Sequence, residues 1–352
     1  MKKSLIALAV LASAGVASAQ SSVTLFGIVD ATLAFGKGSV SNKTQLTNSG
    51  YNSSRLGFRG TEDLGGGMSA SFWLEAGVNN DNGSGAATNL NNQTTGTSAA
   101  TAGTQGLTFN RRSTVSLGGG WGEVRLGRDY TPQFWNLTVF DPFGTNGVGA
   151  SQTLLSTQAG PTAVRASNSI GYFLPGNLGG FYGQLQYSMG ENLRNAPNSK
   201  DGDGMGFRAG YANGPANAAL SYSRTRFATG DIKTTNLGGQ WDFGVAKLMG
   251  HYVRDRVSGG ATGKGGLIGG LVPVGPGEIR LAYSTYKTDV AGNPKTNKIA
   301  LGYVHNLSKR TAVYATYARL KNSGGAAQAL NGSLNQANAN STGYDFGVRH
   351  SF

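Results

Sequence analysis

What most constrains this chain is a long series of stretches in which apolar and polar residues alternate one by one. Val23, Leu25, Val29 and Leu33 share one parity, and Thr24, Asp30 and Thr32 the other. Phe72, Leu74 and Ala76 alternate with Ser71, Trp73 and Glu75, and Tyr344, Phe346, Val348, His350 and Phe352 with Asp345, Gly347, Arg349 and Ser351. Successive side chains of a β-strand point to opposite faces, so each stretch predicts a strand with one apolar and one polar face. Sixteen strands follow, near 22–35, 53–61, 68–79, 106–118, 121–130, 165–175, 181–189, 204–212, 217–227, 234–242, 246–254, 265–274, 278–287, 297–305, 311–320 and 342–352. Seven tight turns (62–67, 118–122, 175–180, 213–217, 242–246, 274–277 and 306–310) alternate strictly with eight longer links (36–52, 80–105, 131–164, 190–203, 228–233, 255–264, 288–296 and 321–341). Short turns on one rim and long links on the other are the pattern of an outer-membrane barrel.

A soluble β-sandwich is the competing architecture, with its apolar faces turned inward. Composition argues against it. Only 13% of the residues are charged, where a soluble domain carries about 25%. Lipid-facing strands cannot carry charge cheaply, and their backbone groups need a closed ladder. Beyond the N-terminus no apolar run is long enough for a membrane helix. The 57 glycines follow no G-X-Y period, and there is no cysteine for a disulfide, a thiolate metal site or a nucleophile.

Residues 1–19 read as a cleaved signal peptide: Lys2-Lys3, an apolar core over 4–16, then Ala17-Ser18-Ala19. Residues 20–352 then form a single outer-membrane barrel domain. The chain stops at Phe352, an aromatic on the apolar row of the last strand, which is the expected signal to the barrel assembly machinery. The formal charge of +13 points to an anionic partner. The basic residues are scattered rather than clustered, so nucleic acid is not expected. His251, His305 and His350 are the only histidines. No nucleophile–base pair, metal set or cofactor motif is visible, and Gly263-Lys264 lacks the phosphate-loop spacing. Enzymatic function is not expected.

Several segments resemble the general porins of beta-proteobacteria, relatives of the neisserial porins: residues 20–30 (QSSVTLFGIVD), 54–67 (SRLGFRGTEDLGGG), 111–115 (RRSTV), 122–129 (GEVRLGRD), 301–311 (LGYVHNLSKRT) and 347–352 (GVRHSF). The resemblance runs along the chain from residue 20. It implies an all-β, 16-stranded antiparallel transmembrane β-barrel in the outer-membrane lipid of a Gram-negative cell. It also implies a homotrimer with the long third loop (131–164) folded into the pore.

Such a barrel encloses an aqueous channel, and the charges lining its narrowest part set selectivity. Parity turns Arg55, Arg59, Arg112, Arg125, Arg165, Arg208, Lys247, Arg280, Lys298 and Arg349 inward, against Asp30, Glu75, Glu123, Glu278 and Asp345. Matching the family's motifs, Arg55, Arg111 and Arg165 would form a basic wall at the constriction, with Glu75 and Asp141 opposite. Arg59 and Arg112 count with the basic constriction residues. Alternation points Arg112 inward whereas the family match favours Arg111; a bulge would reconcile them. The expected function is passive diffusion of small anionic or polar solutes and ions, with anions preferred. A substrate-specific channel, with aromatics lining the bore, is the alternative.

Overall fold

Residues 22–93, 104–155 and 160–352 are described by a computed structural model. The expected signal peptide, residues 1–19, lies outside the described residues. The alternating stretches form β1 (Ser22–Lys37), β2 (Arg55–Gly65), β3 (Met68–Asn79), β4 (Arg112–Gly119), β5 (Gly122–Tyr130), β6 (Arg165–Phe173), β7 (Phe181–Ser188) and β8 (Gly204–Asn213). They continue as β9 (Ala216–Thr225), β10 (Ile232–Asp242), β11 (Lys247–Val257), β12 (Thr262–Val274), β13 (Gly277–Thr288), β14 (Lys295–Asn306), β15 (Thr311–Ser323) and β16 (Ser341–Ser351). Three shorter strands, Lys43–Asn48, Ser84–Ala86 and Thr104–Gln105, belong to the first two links.

Each barrel strand pairs antiparallel with the next, and β16 pairs with β1, placing Val29 opposite His350 and Leu33 opposite Phe346. The sheet therefore closes and leaves no edge. Phe352 extends this seam. Its backbone exchanges two 3.1 Å hydrogen bonds with Gly27, and a Cβ on Gly27 would lie 2.2 Å from the Phe352 ring. Only glycine fits beneath that ring.

Exposure follows parity. Leu25, Val29 and Leu33 are exposed while Asp30 and Thr32 between them are buried. The same apolar exposure recurs at Leu126, Leu237, Ile268, Leu281, Ile299 and Val348, the outward row a hydrocarbon surround requires. Trp73 lies on the polar row, and its indole N–H donates to Glu75 inside the barrel.

The long link between β5 and β6 carries α1 (Pro132–Val139) and α2 (Gln152–Leu155). Pro132 starts α1 behind Thr131, where a missing N–H costs nothing. This link packs on inward-facing residues of the far wall. Phe143, Val148 and Ala150 are buried in one apolar cluster with Leu267, Ala282, Ala300, Ala318, Leu320 and Leu330. Phe140 lies against Gly238, where a Cβ would come within 2.1 Å of its ring. The dry core thus sits inside the barrel between the link and β10–β16, and small inward residues make room for it.

Candidate functional site: two charged chambers along the bore

Four strands bring a group of guanidiniums together around one carboxylate. Glu75 on β3 receives Arg111 Nε at 2.5 Å and Arg55 Nη1 at 3.3 Å on Oε1, while Trp73 Nε1 donates to Oε2 at 2.9 Å. Arg111 Nη2 and Arg165 Nη2 both donate to the Tyr130 hydroxyl, at 3.0 and 3.2 Å. Arg165 also donates through Nε to the Arg111 carbonyl at 2.7 Å and stacks 4.6 Å above the Tyr130 ring. The Arg55, Arg111 and Arg165 side chains line a cavity of about 510 Å³ together with Arg280 and the rings of Tyr51, Tyr130, Phe134, Trp135 and Phe143.

The choice between Arg111 and Arg112 resolves without a bulge. Register across β3 and β4 is unbroken and sets Glu75 opposite Arg112, so Arg112 points inward as alternation requires. Arg111 precedes β4, and its N–H donates to the Glu75 carbonyl at 3.0 Å. It is not bound to the strand's alternation, and both arginines face the lumen.

They face different chambers. The Arg112 and Arg59 guanidiniums lie 4.6 and 5.1 Å from the Trp73 ring. With Arg125 and Glu123 they line a second cavity of about 610 Å³, near the short turns. Here acids answer the bases: Arg125 meets Glu123 at 2.9 Å and Asp129 at 2.6 Å, and Arg112 reaches Asp129 at 3.9 Å. Arg59 and Arg112 therefore stand apart from the Arg55–Arg111–Arg165 group.

Two acids differ from expectation. Glu75 is embedded within the basic wall, not opposite it, because register sets β3 between the strands that carry Arg55 and Arg112. Asp141 does lie on the long link but is buried and spent on that link's own turns, accepting Phe143 N–H at 2.8 Å and Ser151 N–H and O–H at 2.8 and 2.7 Å.

Several inward charges are also covered rather than free. Lys298 is 1% exposed, and its ammonium donates to the carbonyls of Val148 (3.0 Å) and Ala150 and to the Thr153 hydroxyl. A buried ammonium costs several kcal/mol unless so satisfied. It is a clamp on the link, not a lumen-facing charge. Asp345 accepts Val148 N–H at 2.7 Å, and Asp30 accepts the N–H groups of Tyr51 and Asn52 and the Tyr314 hydroxyl. Arg208 donates to the Asn136 side chain of α1. Arg280 and Arg349 flank the Tyr51 ring at 4.4 and 5.3 Å. Tyr130 and Tyr51 escaped sequence reasoning; the available signal was Tyr130's place immediately before the longest link.

Residues 4–325 match the family model described as Gram-negative porin. The chain belongs to that family. It is 41% identical to outer membrane porin protein 32 of Delftia acidovorans and 30% identical to an outer membrane porin protein of Bordetella pertussis, each over the full length of both chains. The solved structure of an anion-selective porin from Comamonas acidovorans superposes with a TM-score of 0.81 at 37% identity, covering 94% of this chain and all of that one. As a porin, the molecule is an outer-membrane channel of a Gram-negative cell, and its exposed apolar rows face lipid.

Proposed function

We propose that this porin passes small hydrophilic solutes and ions by passive diffusion and prefers anions, with Arg55, Arg111 and Arg165 as the filter. One observation carries the reading. The cavity that the long link faces is lined by Arg55, Arg111, Arg165 and Arg280. Glu75 pairs with Arg55 and Arg111, Glu278 pairs with Arg280, and Asp141 is engaged by its own loop. Among the described residues no carboxylate lies within 4.0 Å of Arg165, which leaves the group a net basic wall. A guanidinium and an anion 4 Å apart at an effective dielectric of 20 attract by about 4 kcal/mol. Physiological salt screens over roughly 8 Å, so the charges nearest the narrowest passage dominate. The 131–164 link narrows that passage in this reading. The anion selectivity of the Comamonas relative supports it. The reading includes a homotrimer, export by the 1–19 signal peptide and assembly through Phe352. It includes no catalytic step and no cofactor.

The reversal potential of the reconstituted channel in a salt gradient tests this: an anion-selective sign is expected, and a cation-selective sign overturns it. The rings beside the arginines favour a second reading, a channel specific for a class of organic anion. Liposome-swelling rates that saturate with one solute class would support it, whereas dependence on size alone would support general diffusion.

A further inference from the structure

Tyrosines inside the barrel use their hydroxyl groups differently. Tyr182 accepts Arg208 Nη2 at 3.2 Å and gives its own hydrogen to the Asn217 side-chain oxygen at 2.6 Å. Tyr286 donates to Asp255 at 3.0 Å, and Tyr314 donates to Asp30. Tyr130 is arranged otherwise. Its oxygen accepts two guanidinium N–H groups, from Arg111 at 3.0 Å and Arg165 at 3.2 Å, and among the described residues no group accepts the phenol hydrogen.

The backbone aims this hydroxyl. Tyr130 has the number parity of Leu126, which faces lipid, yet its ring lines the cavity that holds the three arginines. The β5–β6 ladder slips register between Gly127 and Asp129, with left-handed backbone at Gly127 (φ 122°) and Asn168 (φ 54°), and its last pair sets Tyr130 opposite Arg165. A bulge of this kind re-aims the side chains beyond it. Phe134 and Trp135 of α1 pack on the ring at 4.8 and 5.3 Å between centroids, and Arg165 covers a face of it. With the ring fixed and two donors on its oxygen, one direction is left for the hydrogen. The two cationic donors also polarise the O–H bond, which strengthens the hydrogen bond it can give.

We infer that Tyr130 is a specificity-determining residue of the channel, whose hydroxyl donates to the passing anion and ranks anions of equal charge and size by acceptor strength. It favours carboxylates over weak acceptors. The inference rests on the anion-preferring reading of this site. Arg55, Arg111 and Arg165 attract every small anion through their charge, whereas the uncharged phenol rewards only an anion that accepts a hydrogen bond well. An anion entering a narrow passage sheds water, and a donor fixed in the wall replaces part of what it loses. A site built to make a hydrogen bond discriminates against the analogue that makes it poorly.

Formate and nitrate provide the test, since both are small planar monoanions and nitrate is much the weaker acceptor. Bi-ionic reversal potentials of the full-length porin in planar bilayers give the formate-to-nitrate permeability ratio. Tyr130→Phe keeps the ring under Arg165 and removes the hydroxyl. O-methyltyrosine incorporated at position 130 keeps the oxygen that Arg111 and Arg165 hold and removes only its hydrogen; the bulk of the methyl group hinders formate and nitrate alike. Both replacements should lower the ratio by about three- to tenfold, with a smaller change in the chloride-to-potassium ratio because the guanidinium charges remain. An unchanged formate-to-nitrate ratio in both overturns the inference. So does a fall in Tyr130→Phe with the O-methyltyrosine channel at the wild-type value, since the hydroxyl would then act only as the acceptor that holds two arginines. A wild type that is cation-selective in potassium chloride, with the formate-to-nitrate shift intact, would overturn the selectivity reading alone.

Discussion

Two chambers lie along one wall of the same bore, and both are rich in arginine. In the chamber near the turns, Arg125 and Arg112 share Glu123 and Asp129, so the guanidiniums are largely answered by carboxylates and held over aromatic faces. In the chamber facing the long link, Glu75 meets Arg55 and Arg111, whereas Arg165 is held by a hydroxyl and a carbonyl and keeps its charge uncompensated. The number of basic residues is therefore a poor guide to the field a permeating ion meets. What counts is which cations have a carboxylate within reach.

The sharpest way to break this contrast is to neutralise each group in turn. Arg55→Gln/Arg111→Gln/Arg165→Gln, combined with Glu75→Gln so that no buried acid is left unpaired, should lower the anion-to-cation permeability ratio by roughly tenfold or more. Reversal potentials in a tenfold potassium chloride gradient measure it; an unmoved potential removes these arginines from the filter. Lys298→Met tests whether an inward charge matters when the link covers it. It should cost roughly 2–3 kcal/mol of stability by stranding the Val148 and Ala150 carbonyls, read as a lower unfolding temperature, and should raise conductance noise with little change in selectivity. A selectivity loss equal to that of the fourfold variant would mean that Lys298 faces the pathway. Glu75→Gln alone frees two guanidiniums, and should increase anion preference about two- to threefold. The smallest effect is expected in the turn-side chamber: Arg59→Gln/Arg112→Gln should shift the permeability ratio by less than about twofold, because Asp129 already answers Arg112 and salt screens the charge of Arg59 over roughly 8 Å.

Much of the fold was legible because strand parity is a local property. Leu25 and Asp30 announce their faces wherever the barrel closes, and the strict alternation of turn and link implied an up-and-down topology. The basic trio was legible as well, through its motifs. The rest of the site was not. Parity puts Glu75 inside the barrel but says nothing of its lateral neighbours, which register decides. It misleads at Arg111, since alternation governs only residues within a strand and this one stands just before β4. Parity puts Trp73 on the polar row, but that its indole bonds a lumen carboxylate depends on the neighbouring Glu75 side chain.

Asp141 and Lys298 show the limit most clearly. Their charge and position are plain in the amino-acid order, yet Lys298 is buried by the link folded across from elsewhere and Asp141 by the turns of that same link. The sequence by itself determined which side chains face lipid and which face the interior, because a strand's two-residue period needs no partner to express itself. Only the tertiary structure decided which interior charges meet water, because burial and pairing depend on where the long link lies and how sixteen strands align, and both are properties of the closed barrel.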